Sequence, residues 1–294
     1  MPSSDPGSAP ARPGRKLGPI ADCVGSSHRA LLEPLREQYL ASGRTLSDLS
    51  LRVLLAKSKL SELLRGVGLY PRWETVYRLA AELDLPARPL LRLWKQAAHD
   101  AQKSPDWIAR SKAKAPLTGH QHPPLDYRAF KQMAEDDYRC YAAAFLPGDQ
   151  RDSVVAAAFS TLWLSWPEAL ASPDTARYAW TTLRTAVMAR TPHLDGRPEL
   201  GPAAFNTAAL HGRTTDTGRM AQLAESLELF RAISRLPAAQ LDVIVLRRLC
   251  GATDEDAAAL LGVPLAAVRS DERHATRYLE SVICPPPDTG GTTA

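Results

Sequence analysis

Apolar residues recur every three to four positions along most of this chain, and this spacing constrains the fold more than any other feature. Leu31, Leu35 and Tyr39 form one such set, and Leu241 and Ile244 belong to another. Residues three or four apart share one face of an α-helix, whereas a half-buried strand alternates at every second residue. No long stretch alternates, and no Asn-Gly or Asp-Gly pair joins two apolar runs. The sequence therefore predicts an all-α protein.

Composition limits the class of protein. The chain has 294 residues, of which 45% are hydrophobic and 23% charged, as is typical of a folded chain with two or three domains. No apolar run approaches the roughly 20 residues that a membrane span needs. We therefore expect a cytoplasmic protein with no membrane partner. The four cysteines are scattered without a Cys-x-x-Cys pair, which indicates a reducing compartment and no structural zinc.

Segments rich in proline, glycine and serine interrupt the helical patterns and predict the domain boundaries. In chain order we predict a disordered arm (1–26), a first domain (27–103), a linker (104–125), a second domain (126–190), a linker (191–220), a third domain (221–283) and a disordered tail (284–294). His120 and His122 lie in the first linker without further clustered ligands, so we read them as solvated. We expect no metal and no cofactor.

Charge is distributed unevenly along the chain. Residues 1–115 contain 19 Lys and Arg against 11 Asp and Glu, a net of +8, whereas residues 116–294 have a net of −4. Phosphates attract cations irrespective of base sequence, so the first domain is the main candidate for DNA binding.

The first domain parses into about five helices with a helix-turn-helix pattern. Thr45 is a plausible N-cap for the helix before the turn, and Gly66 is a natural stop for the helix after it. In that second helix Leu60 and Leu64 lie on the inner stripe, and lysines and serines occupy the other faces. Short hydroxyls and long cations are suited to base edges and phosphates. The same decoration is also typical of a solvated surface helix.

The stretch TLSDLSLRVLLAKSKLSELLRGVGLYPRWETVYRLAAEL resembles the lambda-repressor/Cro-like (XRE) family of helix-turn-helix regulators. The resemblance implies a five-helix domain that binds double-stranded DNA, and we expect a homodimer on a two-fold site. It implies that Lys57, Ser58 and Ser61 face bases, and that the residues near phosphates are Thr45, Lys59, Arg65 and Arg72. The segment RVLLAKS departs from the family, because it lacks the Gly often found in the turn.

Residues 236–270, LPAAQLDVIVLRRLCGATDEDAAALLGVPLAAVRS, resemble region 4 of sigma factors of the extracytoplasmic-function type. Residues 127–190 resemble sigma region 2 more weakly, through DSVVAAAFSTLWLSW and ARYAWTTLRTAVMAR. Together these resemblances imply two small helical domains and a partner that is RNA polymerase or another regulator. They also imply secondary DNA contacts by Arg269, Ser270, Arg273 and Arg277.

The region 2-like stretch departs from the sigma pattern. Polar groups that would contact the polymerase clamp are replaced by Ala156 and Ala157. The candidates for holding melted DNA are few: Arg177, Tyr178, Trp180, Arg184 and Arg190. Trp163, Trp166 and Trp180 could stack on bases, but helical spacing and apolar neighbours favour core packing for Trp163 and Trp180.

The region 4-like stretch departs from the sigma pattern in its charge, which is not basic. Residues 227–280 contain seven basic and eight acidic residues, and Asp271 points towards the expected DNA face. Glu272 follows Val268 by four residues, so it falls on the inner line of its helix. Because an unpaired buried charge is costly, we predict that Arg247 or Arg248 pairs with Glu272. This module is therefore expected to be a poor DNA reader by itself.

These patterns favour a transcription regulator that binds promoter DNA through its N-terminal helix-turn-helix, with a sigma-like half for protein or secondary DNA contacts. One alternative is a sigma-type initiation factor of RNA polymerase. Another is an adaptor that binds a regulator of sigma factors without binding DNA. We expect no enzymatic activity, since the chain has no phosphate loop, no Gly-x-Ser-x-Gly and no His-Glu-x-x-His.

Overall fold

The computed structural model describes residues 17–117, 122–201 and 228–283. The predicted tail (284–294), parts of the predicted arm and linkers (1–16, 118–121, 202–220) and the start of the predicted third domain (221–227) lie outside the described residues. The chain divides into two compact units, one of residues 1–87 and 97–117 and one of residues 88–96 and 118–294. Among the described residues strand is limited to one short hairpin, so the all-α prediction is confirmed. No described helix is long and apolar enough to cross a membrane.

Residues 17–117 form six helices. They are α1 (Ser26–Ala41), α2 (Leu46–Val53), α3 (Lys57–Arg65), α4 (Trp73–Glu82), α5 (Ala87–Asp100) and α6 (Pro105–Ala113). The first five correspond to the five helices predicted for the first domain. In the first unit, the apolar faces of α1 to α4 supply fully buried side chains, among them Leu32, Leu49, Leu60 and Val76.

Helix α6 lies inside the predicted linker of residues 104–125. Ser104 caps it by accepting a hydrogen bond from the backbone N of Trp107, and Pro105 occupies its first position. The Ser111 hydroxyl accepts from the backbone N of Trp73 at 2.7 Å, and Trp73 Nε1 donates to the Ala115 carbonyl at 3.0 Å. Residues 104–115 are therefore part of the first unit rather than a linker.

Residues 17–25, predicted as part of a disordered arm, pack against the end of α3. The backbone N of Ala21 donates to the Arg65 carbonyl at 3.0 Å. Gly66 ends α3 with a φ of +69°, and a Cβ there would lie 2.6 Å from a methyl carbon of Val24. Both the left-handed backbone and this close approach require glycine.

The second unit contains the remaining described elements. They are α7 (Leu125–Ala143), α8 (Gly148–Leu164), α9 (Trp166–Ala171), α10 (Thr175–Met188), β1 (His193–Leu194), β2 (Arg197–Pro198), α11 (described over 228–234), α12 (Ala238–Ile244), α13 (Asp254–Leu261) and α14 (Leu265–Ile283). Helix α12 continues into a π-helical turn at Val245–Leu249.

The hairpin of β1 and β2 lies in the predicted linker of residues 191–220. The strands are antiparallel, and His193 pairs with Pro198. Asp195 and Gly196 connect them with φ values of +52° and +74°, which is the left-handed pair that a two-residue hairpin requires. The flanking residues of this Asp-Gly turn are too few and too polar for the sequence pattern to indicate strands.

Residues 126–190 and 221–283 are predicted to be two small domains, but 126–190 and the described residues 228–283 share one hydrophobic core. Tyr138, Phe159 and Leu183 from the earlier segment belong to the same buried cluster as Leu246 and Val268 from the later one. Each segment covers the apolar face of the other, so the structure replaces two expected domains with one body.

Candidate nucleic-acid interface

The first helix-turn-helix consists of α2, a turn at residues 54–56 and α3. Thr45 starts α2 with a capping box: its Oγ1 accepts from the backbone N of Asp48 at 3.1 Å, and the Asp48 carboxylate accepts from the Thr45 hydroxyl at 2.7 Å. The hydroxyl and the backbone N of Thr45 both donate to the Asp48 carboxylate, and these hydrogen bonds lower the pKa of Asp48. The predicted N-cap is confirmed, and the Thr45 hydroxyl is engaged within the protein.

The turn of this motif forms without glycine. Leu54 adopts the left-handed conformation with a φ of +56°, and the residue is 80% exposed. For a residue with a Cβ this backbone costs roughly 1–2 kcal/mol. The left-handed Leu54 ends α2 at Val53, and α3 begins at Lys57.

Helix α3 separates its apolar and polar residues. Its buried stripe consists of Leu60, Leu63 and Leu64. Lys57, Ser58 and Lys59 are exposed at the start of the helix, and Ser61 is half-buried. Lys59 Nζ lies 2.8 Å from Glu62 Oε2. The N-terminal part of α3 thus presents cations and hydroxyls, the groups that reading a major groove requires.

The other two predicted contacts of the first domain lie beyond this patch. Arg65 is the last residue of α3 and is exposed, while its carbonyl accepts the hydrogen bond from Ala21. Arg72 is exposed at the N-cap position of α4. Their exposure is compatible with phosphate contacts, which stay a prediction.

The second helix-turn-helix consists of α13, a turn at residues 262–264 and α14. Its first helix begins with the same kind of capping box, in which Thr253 Oγ1 accepts from the backbone N of Asp256 at 3.0 Å and donates to its carboxylate at 2.7 Å. Gly262 opens the turn with a φ of +62°. A Cβ on Gly262 would collide with the backbone N of Arg177 and the carboxylate of Asp174. This turn therefore packs against the start of α10.

Glu272 is paired as predicted. Its side chain is only 16% exposed, and Oε1 lies 3.1 Å from Nη2 of Arg248. Nε of Arg247 lies 3.5 Å from Oε2 and also 2.8 Å from Oδ1 of Asp254. The network compensates the desolvation of a carboxylate on the inner line of α14.

Three of the four secondary DNA-contact candidates on α14 are also engaged within the protein. Arg269 Nε lies 3.0 Å from Asp254 Oδ2, and its Nη2 lies 3.5 Å from Glu255. Arg273 donates from Nε to the Arg269 carbonyl at 3.2 Å. The hydroxyl of Ser270 lies 3.4 Å from His274 Nδ1, and Arg277 is exposed. Carboxylates at the start of α13 thus neutralise part of the positive charge of α14.

Comparison with known protein families identifies this second motif. Residues 226–275 match the family model of sigma-70 region 4. The chain carries a sigma-70 region 4-like module. Sigma-70 region 4 is a DNA-binding helix-turn-helix module, and the match spans described helices from α11 to the middle of α14. Searches of curated proteins and of solved structures gave no match.

A buried carboxylate that sequence reasoning missed joins the region 4-like module to the preceding helices. Asp242 on α12 is 4% exposed, and burial raises its pKa while its polar partners oppose that shift. It accepts hydrogen bonds from the Tyr141 hydroxyl at 2.7 Å, from Trp180 Nε1 at 3.2 Å and from Arg184 Nε at 2.7 Å. These partners come from α7 and α10, so no local sequence pattern indicates the cluster.

Two candidates for contacting melted DNA are therefore structural. Trp180 is 5% exposed and Arg184 holds Asp242. Trp163 is 8% exposed, so the prediction of core packing for Trp163 and Trp180 is confirmed. Trp166 is buried as well.

Proposed function

We propose that this chain is a sequence-specific transcription regulator in which the first helix-turn-helix binds promoter DNA. The exposed group of Lys57, Ser58 and Lys59 at the start of α3 carries the proposal. Their helix is fixed from behind by buried leucines, so these side chains can enter a groove without disturbing the core. The resemblance to the XRE family and the basic balance of residues 1–115 support the same assignment.

The region 4-like module has a subsidiary role in this proposal. Arg269 is held by Asp254 and Glu255, and Glu272 lies beside Arg247 and Arg248. A DNA duplex approaching α14 would have to compete with carboxylates for the same guanidinium group. We therefore assign this module to contacts with RNA polymerase or another regulator, and to secondary DNA contacts. A homodimer would place two α3 helices on a two-fold operator.

The test begins by selecting bound sequences from a random duplex library with the full-length protein. Binding of the selected duplex is then measured for the double variant Lys57→Ala/Lys59→Ala. We expect affinity to fall by roughly tenfold or more. The slope of log affinity against log salt should decrease by about 0.9 for each phosphate that the variant no longer neutralises.

The matched control is Lys112→Ala/Lys114→Ala, which removes the same charge from exposed positions at the end of α6. It should bind almost as the wild type does. If both variants bound DNA equally weakly, the loss of affinity would come from the lower net charge and not from α3. If the α3 variant bound DNA as the wild type does, the proposal would be contradicted.

A second candidate is a sigma-type initiation factor, which the match to region 4 favours. Retention of core RNA polymerase on the immobilised chain, followed by transcription from a defined promoter in vitro, would distinguish it from a regulator. A stable complex with a regulator of sigma factors, together with no DNA retention at low salt, would favour an adaptor instead.

A further inference from the structure

One face of α7 contacts the region 4-like module at Asp242 and at the π-helical turn. Asp137, Cys140 and Tyr141 are spaced three and four residues apart, so they share that face. The Tyr141 hydroxyl donates to Asp242 at 2.7 Å, and α7 packs against the π-helical turn of Val245–Leu249. Cys250 follows this turn directly, and its backbone N donates to the Val245 carbonyl at 3.0 Å. The face of α7 thus brings Cys140 towards Cys250.

The two thiols meet in this interface. Cys140 and Cys250 are free cysteines, each half-buried, and they lie where α7 contacts the π-helical turn, with side chains close enough to interact. The interaction with Cys250 lowers the pKa of Cys140, whereas the same interaction, together with burial, raises the pKa of Cys250. Because the thiolate is the nucleophile in disulfide chemistry, Cys140 is the sulfur that reacts first.

We propose that Cys140 and Cys250 are a modification site, at which a small-molecule disulfide such as oxidised glutathione converts the two thiols to a reversible intramolecular disulfide. The Cys140 thiolate attacks the small disulfide and releases one small thiolate, forming a mixed disulfide. Cys250 loses its proton to solvent, and its sulfur attacks the Cys140 sulfur and releases the second small thiolate. The two protein thiols are oxidised by two electrons, and one small disulfide is reduced to two thiols.

The bond would fasten the region 4-like module to α7. It would close a loop of about 110 residues, which strongly restricts the unfolded chain. It would also keep the Gly262 turn against α10, since both contacts lie in the same body. Oxidation would thus stabilise the arrangement in which the second helix-turn-helix is held by its neighbours. This inference is independent of whether α3 binds DNA.

The experiment uses the full chain with Cys23→Ser and Cys284→Ser, so that Cys140 and Cys250 are the remaining thiols. The protein is titrated with oxidised glutathione, alkylated and mapped as peptides without reduction. We expect a cross-linked pair of peptides containing Cys140 and Cys250, simultaneous loss of both free thiols, and full reversal by a reducing agent. The midpoint of thermal unfolding should rise by about 5–10 °C on oxidation.

Two further samples make the result decisive. The same background with Cys250→Ser should stop at a mixed disulfide on Cys140, which identifies the attacking sulfur. The wild-type chain is mapped in parallel, so that the outcome does not depend on how the substitutions fold. Mixed disulfides without a Cys140–Cys250 link in both the wild type and the double-serine background would overturn the proposal.

Discussion

The two helix-turn-helix motifs of this protein are built alike and placed differently. Each begins with a Thr-x-x-Asp capping box, at Thr45 and at Thr253, and each turns through a left-handed residue. In the first motif that residue is Leu54, which is 80% exposed. In the second it is Gly262, which packs against the start of α10. The two turns thus have the same local geometry, but the first is exposed to solvent and the second packs against a neighbouring helix.

Their second helices differ in how charge is used. Helix α3 exposes Lys57, and its one carboxylate, Glu62, lies beside Lys59. In α14, Arg269 and Glu272 belong to ion-pair networks with neighbouring helices. Two helix-turn-helix motifs with the same backbone geometry can therefore differ in their capacity to bind DNA. That capacity depends on which cationic side chains are exposed to solvent.

The largest expected effect concerns the turn. Gly262→Ala adds a methyl group that meets Asp174 and the backbone of Arg177, and it strains a left-handed backbone. We expect the free energy of unfolding to fall by about 3 kcal/mol, from overpacking and strain together. Chemical denaturation of the full chain measures this decrease through the transition of the second unit.

Gly251→Ala is the control for backbone strain. Gly251 has a φ of +72° with no atom within 4 Å of an added Cβ, so only the cost of about 1 kcal/mol from the left-handed backbone is expected. Equal decreases in the two variants would mean that the packing of the Gly262 turn against α10 contributes nothing.

The next effect compares the carboxylates of the two second helices. Glu272→Gln leaves Arg247 and Arg248 facing a neutral group in a half-buried place, and we expect stability to decrease by about 1–2 kcal/mol. Glu62→Gln breaks the more exposed pair with Lys59 and should cost no more than about 0.5 kcal/mol. Thermal unfolding of both variants, with and without added salt, measures the difference. If the two substitutions lowered stability by similar amounts, Glu272 would be no more important to the fold than the more exposed Glu62.

The N-caps should show the smallest difference between the two motifs. Thr45→Ala and Thr253→Ala each remove an N-cap hydroxyl, and each should cost about 1 kcal/mol. Hydrogen exchange at increasing denaturant concentration, followed separately for amides of the two units, would measure both decreases in stability. A large inequality would contradict the view that the motifs share their local construction.

The capping boxes also predict a pH dependence. Hydrogen bonds from the threonines lower the pKa of Asp48 and of Asp256 in the folded protein. Each box therefore contributes its stability above the ordinary pKa of an aspartate and loses it as the pH falls through the lowered value. Acidification should therefore destabilise the alanine variants less than it destabilises the wild type, as denaturant titrations at several pH values would measure.

The sequence by itself determined the features that depend on neighbours within one or two helical turns. The helix stop at Gly66 and the N-cap at Thr45 follow from such local rules, and both are present. The pairing of Glu272 could be predicted because its spacing from Val268 placed a carboxylate on an inner line, where a partner was required.

Only the tertiary structure decided which surfaces cover one another. Asp242 contacts Tyr141 across 101 residues of chain, and Cys140 meets Cys250 across a similar separation. The Gly262 turn packs on α10, and residues of α7 to α10 share one core with the region 4-like module. Helical periodicity shows that a face is apolar but not which other face buries it, because that choice depends on the summed packing of the whole unit.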